Sequence, residues 1–145
     1  MFDRFTSKQI QARETTIKLV QGGDGDPILL LHGYPETHVC WHRVAPILAK
    51  QFTVVCPDLR GYGDSAKPPS GPEHLAYSKR MMAQDQAEVM QSLGFNKFAV
   101  VGHDRGARVA HRMALDHTEK VTKLALLDIV PTSWAFAKVD KEIAI

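Results

Sequence analysis

The stretch that most constrains this chain is Phe98 to Gly106, where the apolar run Phe98-Ala99-Val100-Val101 passes into Gly102-His103-Asp104-Arg105-Gly106. A helical pattern follows, from Arg105 to His117. A short unbroken apolar run suits a strand buried on both faces, which is the environment of a parallel sheet covered by helices. The chain must then reverse from strand to helix almost at once. Glycines two positions either side of Asp104 answer that need, because so tight a reversal leaves no room for side chains there and holds its apex in strained dihedrals.

The same grammar recurs along the chain. Ile28 to Leu31, Phe52 to Cys56 and Val121 to Leu127 read as further strands, the last containing the run Leu124-Ala-Leu-Leu127. Two β-rich runs open the chain, Ile10 to Glu14 and Thr15 to Val20, before the turn-forming segment Gln21 to Pro27. Trp41, Val44, Ala45 and Leu48 fall at i, i+3, i+4 and i+7, one face of an amphipathic helix. Pro57 to Pro72 is a glycine- and proline-rich loop. Ser78 can then cap a helix with Met82, Val89, Met90 and Leu93 on one side, ended by Gly94. Alternating strands and helices predict an α/β fold: a mostly parallel sheet with helices on both faces, entered by an antiparallel hairpin.

Composition narrows the function classes. The 145 residues suit one domain, and a net charge of +2 with 23% charged and 44% hydrophobic residues excludes a disordered or polyanion-binding chain. The longest apolar runs have four residues, against about 20 for a membrane span. Met1 to Ile10 lacks the charged, apolar and small-residue zones of a secretory leader, so the expectation is a cytoplasmic protein. Cys40 and Cys56 fit no disulfide framework or metal spacing and read as buried apolar residues.

Three motifs carry chemistry. Gly102-His103-Asp104-Arg105-Gly106 has the pattern glycine, any residue, nucleophile, any residue, glycine, with Asp104 at the nucleophile's place and at a helix N-terminus that keeps it ionised. A plain βα loop with Asp104 as helix cap is the competing reading. His32-Gly33-Tyr34-Pro35 directly follows the run Ile28 to Leu31, so the Tyr34 N–H can join the Arg105 N–H as an oxyanion hole. Asp58-Leu59-Arg60-Gly61-Tyr62-Gly63-Asp64-Ser65 follows the next strand and reads as a structural loop under the site; its Gly61-Tyr62-Gly63 lacks the third glycine of a dinucleotide fingerprint. No metal spacing, phosphate loop or nucleic-acid motif competes.

Taken in this order, the motifs resemble the α/β-hydrolase superfamily in its Asp-nucleophile branch of epoxide hydrolases and dehalogenases. The closer resemblance is to the N-terminal half of the fluoroacetate (haloacetate) dehalogenase family, through Asp104-Arg105-Gly106-Ala107-Arg108 and Leu127-Asp128-Ile129-Val130-Pro131-Thr132. It implies an α/β-hydrolase fold truncated after its sixth strand. Residues 1–132 would be the N-terminal part of the core and 133–145 the start of a cap domain. Asp104 would be the nucleophile and Asp128 the triad acid. Arg105 and Arg108, at i and i+3, would converge on a substrate carboxylate, unless they are solvated or paired with Asp104 and Asp128.

The implied reaction turns fluoroacetate or chloroacetate into glycolate through an ester on Asp104, with no metal or cofactor. The implied partner is a small anionic substrate, not nucleic acid or membrane, and the resemblance leaves room for a homodimer of the full-length form. His32 belongs to the oxyanion motif, and strand alternation should turn His103 to the face opposite Asp104. His38, His42, His74, His111 and His117 read as surface or supporting residues, and the resemblance implies that the catalytic base lies beyond Ile145. Residues 1–145 alone are then expected to be inactive. An epoxide hydrolase is the alternative enzyme. A non-catalytic interaction module using an exposed sheet edge is the alternative of another class.

Overall fold

A computed structural model describes residues 1–138. Strands β1 (Thr6–Gln11) and β2 (Thr16–Gly22) form the entry hairpin, offset from the expected runs because its turn lies at Ala12 to Thr15. There the Ala12 N–H donates to the Thr15 carbonyl at 2.8 Å. The polar segment Thr6 to Gln9 is thereby drawn into an edge strand that its composition did not announce.

Strands β3 (Asp26–Leu31), β4 (Phe52–Pro57), β5 (Phe98–His103) and β6 (Val121–Leu127) complete a six-stranded sheet of order β1-β2-β4-β3-β5-β6. The last four run parallel, and β2 meets β4 antiparallel. Helices α1 (Ala45–Leu48), α2 (Lys79–Ser92), α3 (Arg105–Asp116) and α4 (Thr132–Lys138) lie between or after the strands. The mostly parallel sheet entered by an antiparallel hairpin, expected from the strand grammar, is the architecture observed. The proposed cap start at 133–145 begins inside α4, and its residues 139–145 lie outside the described ones.

Strand alternation sorts the apolar side chains into two layers. Leu29, Leu31, Val55 and Val100 pack with Val89, Met90, Val109 and Met113 of α2 and α3. Ile28, Leu30, Val54 and Cys56 face the other way, against Trp41 and Ala45. Each fully buried aliphatic side chain contributes about 1.5–3 kcal/mol, so this double cover fixes the register of the strands that carry the site.

The predicted helix over Trp41 to Leu48 is broken. A 3₁₀ turn at His38–Trp41 is followed by the single turn of α1, and Val44 is exposed while Trp41 and Ala45 are buried as the periodicity requires. Pro46, second residue of α1, has no N–H to donate backwards, so a helix can start there but not pass through. Helix α2 begins as expected, with the Ser78 hydroxyl accepting the Met81 N–H at 3.2 Å, and Gly94 follows it at φ +88°. Cys56 is buried and Cys40 half-buried; both are free thiols, and burial pushes Cys40 up to about 12. Among the described residues, no helix is long and apolar enough to cross a membrane.

Candidate active site

Strands β3, β5 and β6 are neighbours and parallel, so their carboxyl ends deliver three loops to one edge of the sheet. Such an edge is where open α/β sheets place ligands. Asp104 caps β5 at φ 46°, ψ −115°, a conformation outside the ordinary wells, and its N–H donates to the Leu127 carbonyl at 3.0 Å. The two glycines are sterically required. A Cβ on Gly102 would stand 2.6 Å from the Ala107 Cα, and one on Gly106 would stand 2.6 Å from the Leu31 carbonyl carbon.

The loop after β3 meets Asp104 as the motif suggested. The Tyr34 N–H donates to Asp104 Oδ2 at 2.9 Å. Burial opposes ionisation of Asp104, but the Tyr34 and Arg105 N–H groups, with His103 and the Arg105 charge, outweigh it and hold the carboxyl below the usual carboxylate range. The side chain does not cap α3, so the competing reading of Asp104 as a helix cap lacks its hydrogen bond.

Behind this loop lies a scaffold of buried polar groups. His32 is fully buried; its Nε2 accepts the Leu59 N–H at 3.0 Å and its Nδ1 lies 2.8 Å from the Gly33 carbonyl. Burial lowers its pKa, and the neutral ring with its proton on Nδ1 satisfies both contacts. Asp58 accepts from the His38 N–H and ring at 2.7 Å each and from the Asp64 N–H at 3.0 Å. Arg60 grips Asp85 with two hydrogen bonds of 2.8 and 2.6 Å and donates to the Ala76 carbonyl at 2.8 Å. The loop Asp58 to Ser65 thus supports the site from below.

Arg105 and Arg108 are exposed on the first turn of α3, and among the described residues neither forms an ion pair. The Arg105 guanidinium carbon instead lies 5.0 Å from the centre of the Tyr34 ring. Sequence reasoning missed a third cation, Lys79, at the start of α2. Burial lowers its pKa, and the charges of Arg105 and Arg108 push it further down, against the pull of Asp104. One signal was available: Lys79 and Arg80 open a helix whose positive dipole end disfavours cations.

Asp128 stands at the same edge, at φ 58°, with its side chain 81% exposed. The His103 ring faces it, with Nε2 3.7 Å from Asp128 Oδ2. His103 requires a correction. Alternation does turn it to the face opposite α3, alongside Ala99 and Val101, but the loop after β3 folds over that face. His103 therefore remains in the site, with Nδ1 3.0 Å from Glu36 Oε2. Among the described residues no group of three His, Cys, Asp or Glu side chains gathers as a metal site.

Residues 26–143 match the family model described as alpha/beta hydrolase fold. The chain belongs to the α/β-hydrolase fold family. Among members of this family it is 53% identical over 144 residues to a fluoroacetate dehalogenase from a Burkholderia species, covering 99% of this chain and 47% of the relative. It is 42% identical over 131 residues to a soluble epoxide hydrolase of Corynebacterium sp. strain C12, covering 90% of this chain and 44% of that one. A crystallised α/β hydrolase from Nostoc sp. PCC 7120 superposes with a TM-score of 0.96 at 60% identity, over 99% of this chain and 50% of its own. The chain thus spans about half the length of these α/β hydrolases, the N-terminal portion of the fold.

Proposed function

We propose that the complete enzyme, this chain joined to the remaining half of the fold, hydrolyses the carbon–halogen bond of a small haloacid. Asp104 Oδ1 attacks the α-carbon, the carbon–halogen bond breaks, and the halide leaves with the bonding pair. A water then adds to the Asp104 carboxyl carbon and gives a proton to a histidine base oriented by Asp128. The tetrahedral intermediate collapses to free carboxylate and 2-hydroxy acid, with its oxyanion held by the Tyr34 and Arg105 N–H groups. No cofactor enters this sequence.

The observation that carries this reading is the carboxylate at the apex of the elbow with Oδ2 already bonded to the Tyr34 N–H. A serine there would serve acyl transfer; an ionised carboxylate serves displacement at carbon. Arg105 and Arg108, both without a carboxylate partner among the described residues, favour an anionic substrate, as does the 53% identity to a fluoroacetate dehalogenase. The 42% identical epoxide hydrolase supports a second reading with the same nucleophile, in which a neutral substrate leaves the arginines unused.

Fluoride or chloride release from fluoroacetate and chloroacetate, set against diol formation from an epoxide, separates the two. Heavy-oxygen water in a single turnover tests the ester: the label enters Asp104 and the first product stays unlabelled. Label appearing directly in the first product would refute the ester route.

A further inference from the structure

Glu36 lies outside every motif that suggested the site, yet it touches two of them. Its Oε2 accepts the Gly33 N–H at 2.9 Å and faces His103 Nδ1 at 3.0 Å. The same tetrapeptide is closed by the Glu36 N–H donating to the Gly33 carbonyl at 3.2 Å. Tyr34, whose N–H reaches Asp104, is held inside this closed turn. The other side of His103 faces Asp128 across 3.7 Å. A single carboxylate oxygen therefore ties the loop after β3 to the end of β5, and through His103 to the end of β6.

We propose that Glu36 and His103 form a positioning pair that aims the Tyr34 N–H at the carboxyl group of Asp104. The two side chains are 31% and 32% exposed, so their contact is partly shielded from solvent. Burial works against the charge on Glu36, but the Gly33 N–H and His103 outweigh it and hold its carboxyl below the usual range. His103 packs close to the loop, since a Cβ on Gly33 would stand 3.0 Å from its Nδ1. Without Glu36 the Gly33 N–H loses its acceptor and the turn holding Tyr34 loses its anchor to β5.

This inference deepens the ester mechanism proposed above and makes a prediction specific to its second half. An oxyanion donor matters most when charge develops on the carbonyl oxygen, which happens during hydrolysis of the ester rather than during its formation. Glu36→Ala should slow ester hydrolysis at least about tenfold while ester formation changes less than about threefold. Rapid-quench halide release should then show a burst near one equivalent per site, and intact mass should show the alkylated protein. Glu36→Gln keeps an oxygen acceptor for the Gly33 N–H and should recover most of the loss.

The experiment uses the complete enzyme with whichever of chloroacetate or an epoxide the parent turns over, so a wrong substrate assignment does not disable it; with an epoxide, intact mass alone follows the ester. Hydrogen exchange at the Tyr34 amide reads the same aim without substrate, and Glu36→Ala should strip its protection. Equal slowing of both half-reactions, or unchanged Tyr34 protection, would overturn the pair's role.

Discussion

Gly33→Ala separates the chemistry of the site from the stability of the fold. Gly33 does not occupy the left-handed region, so alanine brings no backbone strain. Its added Cβ would stand 2.8 Å from the Asp104 Cβ and 3.0 Å from Asp104 Oδ2. Carbon atoms rest at about 3.5–4.0 Å, so the loop or the elbow must retreat by about 1 Å. Asp104 is fixed by the sheet through its N–H on Leu127, which leaves the loop to move. A retreat of that size takes the Tyr34 N–H from 2.9 Å to beyond the reach of a useful hydrogen bond. Losing one oxyanion donor costs about 10²–10³ in kcat, while overpacking by one methyl costs about 1–3 kcal/mol of stability. The complete enzyme carrying Gly33→Ala should therefore remain folded by urea titration and lose about a hundredfold in kcat for halide release. A folded variant within threefold of the parent would show that the contact between this loop and the nucleophile has no part in turnover.

Other outcomes follow from the same geometry. Arg108→Leu should lower kcat/KM for haloacids at least about tenfold and leave neutral alkylating substrates unaffected; equal loss on both would make Arg108 structural. Arg60→Leu leaves Asp85 buried without its partner and should cost about 3–5 kcal/mol in urea unfolding, with Arg60→Met combined with Asp85→Leu recovering much of it. Burial opposes the charge on Asp58, but His38 and the Asp64 N–H hold its carboxyl below the usual value. Its stabilisation is thus complete above the unfolded-state pKa and is lost as pH falls through the lower folded-state one, so Asp58→Asn should flatten the decline in urea midpoint between pH 5 and about 3. Residues 1–145 alone should give no sustained fluoride release at an ion electrode; multiple turnovers would put the base among this chain's histidines, with His103 the first to test.

The parts of the fold legible in the sequence were those set by local sterics. The elbow could be read because its glycines are required by atoms within a few residues, and the double-faced strands because burial on both sides demands unbroken apolar runs. What stayed hidden depended on contacts between distant segments. Lys79 meets Arg105 and Arg108 only because α2 packs beside α3. Glu36 lies outside the motifs, and its link to His103 exists only because the chain after β3 folds over the end of β5. Alternation gave the correct face for His103 and still misled, because it says nothing about which loop covers that face.

The two edges of the sheet are written in different alphabets. β1 is Thr-Ser-Lys-Gln-Ile-Gln, whose polar side chains and lysine discourage a further strand from joining it. β6 is Val-Thr-Lys-Leu-Ala-Leu-Leu, with Leu124 and Leu127 38% and 44% exposed. By composition β6 is an inner strand. On a translating ribosome this sheet can be assembled while the outer row of N–H and C=O groups on β6 still waits for a neighbour. In the complete enzyme proposed above, each nascent chain presents an apolar, adhesive rim until a following strand pairs with it. Codon choice and synthesis rate just after β6 should therefore influence the yield of soluble protein more than equal changes just after β1.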